Sequence, residues 1–323
     1  EPYLRPMVWG GRKLGTRFGK TLPGDESFGE SWEISSHRGH VSRVAEGSFQ
    51  GADLNALCAE YGKEIFGESV PADRRFPLLI KLLDCEQLLS IQVHPTDELA
   101  HAILGDELGK TESWIVLDVG PQGRIYAGLR EGITRMDLEQ HLRAGTTDQC
   151  LHVIHPKVGD CIHLPAGTVH AVGGGVVIAE VQQTSDATFR LFDWNRMGTD
   201  GKPRTLHVDE SLRCINFHAG PVSPVTPILL NEPDDGFLRE GLVACPYFRM
   251  DRLTLDSDVP VPAPGRLSVG MVIEGSVELV GGDFHRELIA GETVLIPASA
   301  GVLHWRRSKT TQTPKIIEVT LSY

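Results

Sequence analysis

The sequence predicts a mainly β protein made of two β-sandwich modules, with a small helical insertion in the first half. Three observations carry this expectation. The chain holds 35 glycines and 20 prolines among 323 residues, more turn punctuation than a helical bundle uses. Short apolar runs bounded by turn residues recur, most densely from Asp160 to Asp193 and again beyond Tyr247. Finally, Gly159-x5-Pro165-x-Gly167-x2-His170 recurs as Gly291-x5-Pro297-x3-Gly301-x2-His304, with the Gly and Pro offset by 132 residues in both cases. Its content is a tight turn, a short strand, a proline turn, and a strand whose first outward residue is histidine. That reads as one module present twice.

Taken in order, Trp9-Gly10-Gly11-Arg12-Lys13-Leu14 and then Glu30-Ser31-Trp32-Glu33-Ile34-Ser35 read as a loop leading into a strand. Leu54, Leu57, Cys58, Tyr61 and Ile65 fall at helical spacing and predict an amphipathic helix. Phe76 to Leu83 and Gln87 to His94 both predict buried strands. After Pro95, Thr96 is a good cap for a short helix with Leu99, Ala102 and Ile103 on one face. Glu112 to Val119 predicts another strand, and Thr134-x-x-Asp137 ahead of Leu138 and Leu142 a capped helix. Gly220-Pro221-Val222-Ser223-Pro224-Val225-Thr226-Pro227 reads as a linker. It divides a catalytic domain over residues 1–220 from a degenerate β domain over 221–323. In the latter, Tyr247 to Leu255, Arg266 to Ile273, Ser276 to Val280, Thr293 to Ile296 and Lys315 to Leu321 form a strand-and-turn series with almost no helical signal.

With 31 Lys+Arg against 43 Asp+Glu, the formal net charge is −12. An acidic chain with no basic run suits neither nucleic acid nor an anionic membrane surface. An anionic substrate would have to be held by a few local cations against the global field. The longest stretch without a formal charge, Cys161 to Ala179, contains Pro165 and four glycines, so it is no membrane helix. No signal-peptide pattern opens the sequence. Cys58, Cys85, Cys150, Cys161, Cys214 and Cys245 form no C-x-x-C pair, which predicts free thiols in a reducing cytoplasm. A monomer or weak homodimer acting on a small molecule is expected.

Gln92 and His94 sit two apart on an apolar strand and share a face. Glu112 opens the next strand, and His170 ends the first copy of the repeated turn. Two histidines and a carboxylate converging from separate strands make a Zn²⁺- or Fe²⁺-type ligand set with room for solvent. Lys81 and Arg190 stand inside apolar runs, and Lys110 lies two residues before Glu112. Glu180 and Gln182 are a second polar same-face pair in an apolar strand. Buried polar groups at this density predict a polar cavity lined by strands.

Gln92-Val93-His94-Pro95, Gly109-Lys110-Thr111-Glu112-Ser113-Trp114, Pro165-Ala166-Gly167-Thr168-Val169-His170-Ala171 and Gln183-Thr184-Ser185-Asp186-Ala187-Thr188-Phe189-Arg190-Leu191-Phe192-Asp193 together resemble type I mannose-6-phosphate isomerase. They are most similar to its short bacterial form, built of cupin-like jelly-roll modules. The resemblance is dense from Trp9 to Arg196 and thin after the linker. It implies interconversion of mannose 6-phosphate and fructose 6-phosphate with one Zn²⁺ per chain. It further implies that His94, Glu112 and His170 are metal ligands, and Gln92 matches a fourth ligand of the longer members. Arg190 matches the catalytic arginine, and Lys81, Lys110 and Glu180 match other active-site positions. Lys110 and Glu180 are both candidates for the proton shuttle, and Lys81, Lys110 and Arg190 for gripping the substrate. The family usually carries Tyr before the arginine; here it is Phe189, which keeps the ring and loses the hydroxyl. His304 has no partner matching His94 or Glu112 and reads as structural.

Two rivals belong to other classes. A non-catalytic sugar-binding cupin would have lost a ligand or the arginine, and neither is missing. Another metal-cupin enzyme, such as an Fe²⁺ oxygenase, uses similar ligands, but the two lysines and the arginine favour a phosphorylated, enolisable substrate.

Overall fold

Four antiparallel sheets stack in layers. In the first module a six-stranded sheet runs in the order Tyr3–Gly11, Phe28–Ile34, Leu78–Cys85, Val176–Gln183, Glu112–Asp118, Cys161–Leu164. It faces five strands in the order Phe189–Phe192, Ile91–Val93, His170–Gly173, Arg124–Leu129, Leu151–Ile154. In the second module, Ile228–Leu229, Phe237–Ala244, Phe248–Leu255, Lys315–Leu321, Ser268–Glu274 and Thr293–Ile296 face Val259–Pro260, His304–Arg307, Ser276–Gly281 and Phe284–Ile289. This computed structural model describes residues 1–71, 73–198, 201–232, 235–261, 265–308 and 312–322.

The two strand orders correspond. Gly159 and Gly291, at φ 92° and 95°, turn the chain into equivalent edge strands of the large sheets. His170 and His304 open equivalent strands of the small ones. The mainly β class is borne out, and the repeat in the sequence is a repeat of architecture. Among the described residues, the edge strand Phe189–Phe192, which carries Arg190, has no equivalent in the second module.

The large sheets of the two modules pack on each other. Ile80, Leu82, Ile115, Ala179 and Val181 share one apolar core with Met250, Val269, Met271, Ile317 and Val319. Each sandwich has its own interior, around Trp114, Val116 and Ile178 in the first and around Leu253, Val277 and Trp305 in the second. The helices Arg135–Ala144 and Val208–Cys214 cover the outside of the five-stranded sheet through Leu138 and Leu212. Thr134 caps the former in a capping box with Asp137, as the spacing predicts.

Three local readings differ from the structure. Between Gln87 and His94 only Ile91–Val93 is a strand. The preceding backbone bonds to both sheets in turn, Gln87 N–H to Trp9 O at 3.0 Å and Leu89 N–H to Val172 O at 2.8 Å, as the chain crosses between them. The helix expected through Ile65 breaks into Leu54–Glu60 and Gly62–Phe66 at Tyr61, which ends the first and precedes the second with non-helical backbone angles. The opening residues form the strand Tyr3–Gly11, an edge strand whose half-exposed pattern hid its period.

Candidate active site

Side chains alternate across each strand. In Val176–Gln183, Val177, Ala179 and Val181 join the core between modules, which turns Glu180 and Gln182 into the sandwich interior. The same parity brings Lys81 inward with Leu83, and Glu112 with Trp114 and Val116. From the opposite sheet, Gln92 and His170 alternate with Ile91, Val93 and Ala171, which pack beneath the helices. Register completes the convergence. Glu180 lies opposite Lys81 on one side and Trp114 on the other, Gln182 opposite Glu112, Gln92 opposite His170, and Arg190 opposite Gln92.

His94, Glu112 and His170 are fully buried, with one ligand atom from each lying within 4.8 Å of the others. His94 Nδ1 meets Ala187 O at 2.8 Å and His170 Nδ1 meets Thr168 O at 2.9 Å. Each Nδ1 therefore carries the proton and each Nε2 a lone pair. Those lone pairs face the Glu112 carboxylate, His94 Nε2 at 3.4 Å from Oε2 and His170 Nε2 at 3.3 Å from Oε1. Glu112 Oε1 is buried with no hydrogen-bond donor. Apart from the Lys110 ammonium beside His94 Nε2 and Glu112 Oε2, acceptors face acceptors here, an arrangement that a metal cation between them satisfies. Burial and the Lys110 ammonium push the His94 pKa down to about 3, and burial lowers that of His170. Burial raises the Glu112 pKa, but the Lys110 ammonium outweighs it and holds it well below the usual carboxylate value. Two neutral imidazoles and one carboxylate fit a divalent metal ion.

Lys110 lies against this group. Its ammonium donates to Glu112, approaches His94 Nε2 at 3.1 Å, and sits 3.7 Å from Glu180 Oε1. Glu180 also pairs with Lys81 at 3.2 Å and accepts the Trp114 indole N–H at 3.0 Å. Burial opposes charge on Lys81, but Glu180, Glu30 and Asp186 outweigh it and raise its pKa. Above these groups opens a polar cavity of about 240 Å³. Five cations line it: Arg5, Lys81, Lys110, Arg190 and Arg204. A larger cleft of about 850 Å³, lined by Phe18, Phe284, Leu288 and Ile289 among others, lies elsewhere. The smaller cavity is the one whose lining touches the triad, Lys110 at Glu112 and His94, Gln92 and Trp114 at His170, so the chemistry belongs there.

The structure thus gathers Lys81, Gln92, Lys110, Glu180 and Arg190 around one pocket, with His94, Glu112 and His170 in contact with its Lys110 and Gln92. Gln92 turns its amide nitrogen to His170 Nε2 at 3.4 Å. Arg190 donates from Nη1 to Thr205 O at 2.8 Å and leaves a buried Nε without a partner. Sequence reasoning missed Arg5, from the unrecognised first strand, and Arg204. Arg204 is held by Asp193, its Nε 2.7 Å from Oδ2, and Arg196 reaches the same carboxylate at 2.6 Å. Burial and the neighbouring Arg204 lower the Arg190 pKa.

A jelly-roll sandwich with two histidines and a carboxylate meeting beneath a cation-lined pocket defines a cupin of the metal-centre type. Residues 2–110 match the family model "Phosphomannose isomerase type I, catalytic domain", and the chain belongs to that family. It is 34% identical over 301 residues to mannose-6-phosphate isomerase ManA of Bacillus subtilis, covering 93% of each chain. To the mannose-6-phosphate isomerase of Streptococcus mutans it is 35% identical over 297 residues, covering 92% of this chain and 91% of that one. The crystal structure of the Bacillus subtilis mannose 6-phosphate isomerase matches with a TM-score of 0.89 and 31% identity, over 99% of this chain and 98% of that one.

The second module closes off the corresponding place. There Glu318 lies opposite Gly270 and Asp251, where Glu180 lies opposite Trp114 and Lys81, and Ser268 stands at the position of Glu112. Trp305, from the small sheet, fills the space over Gly270, where an added Cβ would come within 2.5 Å of its ring. Its indole donates to Glu318 Oε1 at 2.7 Å, and Arg239 reaches Oε2 at 2.7 Å. Burial wins over these partners and pushes the Glu318 pKa up to about 7 from 4.5. A carboxyl raised in the fold contributes its stability fully below the unfolded value, and loses it as pH rises through the folded one. From pH 5 to pH 8, the wild type should therefore lose up to about 3 kcal/mol relative to Glu318→Gln, as urea unfolding at the two pH values would read. A wild type that gains on the variant over that range contradicts the assignment.

Proposed function

We infer that the protein interconverts mannose 6-phosphate and fructose 6-phosphate, moving a proton between C1 and C2 through an enediolate. The observation that carries this reading is a polar pocket lined by five cations whose Lys110 and Gln92 touch the metal-type triad directly. We propose one zinc ion per chain, held by His94, Glu112 and His170, with Gln92 as a fourth donor if its amide turns its oxygen inward. When bound, such an ion supplies Lewis acidity at the sugar oxygens where negative charge develops.

The remaining work falls to the side chains. Lys110 and Glu180, 3.7 Å apart, form the pair that takes and returns the proton. Arg190 stabilises the enediolate charge, and Lys81, Lys110 and Arg190 grip the phosphorylated substrate. Lys81, kept charged by its carboxylate neighbours, also holds Glu180 in place. Residues 1–220 carry the chemistry and 221–323 support it. Six free cysteines support a reducing, cytoplasmic location.

A coupled assay tests the reading. Turnover of mannose 6-phosphate, lost with chelator and absent with unphosphorylated mannose, is expected. Oxygen consumption, or bound metal with no isomerisation, would contradict it.

A further inference from the structure

We propose that Tyr247, in the second module, is a positioning residue for the active-site segment Gly109–Glu112 of the first; the inference rests on the metal-centred reading above. Tyr247 lies between the strands Phe237–Ala244 and Phe248–Leu255. Its hydroxyl donates to Asp97 Oδ2 at 2.7 Å. Asp97 Oδ1 accepts the Gly109 N–H at 2.8 Å and an amide N–H of Gln183 at 3.0 Å. Gln183 Oε1 in turn accepts the Thr111 N–H at 2.9 Å, and the Thr111 hydroxyl accepts the Ala166 N–H at 3.2 Å.

Gly109 and Thr111 flank Lys110, and Glu112 follows directly. Two N–H groups of the backbone bearing them thus hang, directly or through Gln183, from one carboxylate, which Tyr247 of the second module holds from its far side. The fit is close, since a Cβ on Gly109 would meet Asp97 N at 2.5 Å. A hydrogen bond to a charged acceptor is stronger than a neutral one, so this tether is worth more than an ordinary contact between modules. It gives a module without a metal cluster of its own, among its described residues, a task in the chemistry of the other.

Tyr247→Phe in the full-length protein removes only the hydroxyl. Amide hydrogen exchange at Gly109 and Thr111 should quicken about tenfold, the loss expected of one charge-assisted hydrogen bond. kcat should fall by about three- to tenfold with KM nearly unchanged, since the geometry of Lys110 and Glu112 bears on the chemical step. Arg252→Gln breaks a different bond between modules, Arg252 Nη1 to Gly159 O at 2.7 Å, and should leave exchange in the segment at wild-type rates. In an Asp97→Ala background, Tyr247→Phe should add nothing.

Unchanged exchange in Tyr247→Phe, equal loosening in Arg252→Gln, or an undiminished Tyr247→Phe effect in Asp97→Ala overturns the proposal. The first two comparisons decide it even if Asp97→Ala does not fold. Exchange is independent of turnover, so failure of the isomerase reading shows separately, as an inactive wild type.

Discussion

Replacing His170 with alanine should abolish both bound metal and turnover. The imidazole is 1% exposed, its Nδ1 is fixed on a backbone carbonyl, and its Nε2 faces Glu112. Removing one of the three proposed ligands leaves Glu112 and His94 too few to hold an ion against chelation by buffer. Metal analysis after dialysis should find wild-type protein with about one equivalent per chain and the variant with almost none. His170→Leu, closer in volume and without a donor atom, should also lose turnover, which separates loss of a ligand from loss of packing. Full metal or full activity in either variant sinks the ligand assignment.

Lys110→Met should give the opposite split. The substitution keeps the aliphatic stem and removes an ammonium that lies beside two of the ligands. A cation there repels a second cation, so metal affinity should hold or rise. Turnover should nevertheless fall by about 10²–10⁴-fold, the range typical of a lost proton-transfer group. Metal content and kcat measured on the same preparation check this. A variant that loses metal yet turns over normally when reloaded would mean that Lys110 is scaffold and Glu180 acts without it.

Much of the site was legible because its residues are costly where they stand. A lysine within Leu78–Cys85 and a glutamate within Val176–Gln183 break apolar strands, and strand parity alone puts both on the interior face. His170 was marked by the turn that precedes it, and the same turn before His304 exposed the duplication. What escaped depends on partners distant in the chain. Arg204 enters the pocket from a polar, turn-rich stretch because Asp193 anchors it, and nothing local signals that bond. Arg5 rides an edge strand whose outer half is exposed. The hydroxyl of Tyr247 meets a carboxylate 150 residues away. Trp305 fills the space above Gly270 from the opposite sheet, so the loss of a site in the second module was readable as missing ligands but not as a filled cavity.

The most direct test of the account is titration of metal-free protein with Zn²⁺ while mannose 6-phosphate isomerisation is followed. Activity should rise linearly and stop at one equivalent per chain, with Glu112→Gln showing neither binding nor activity under the same titration. Isomerase activity undiminished in the fully stripped protein, or a plateau unrelated to the His94, Glu112 and His170 site, would contradict it.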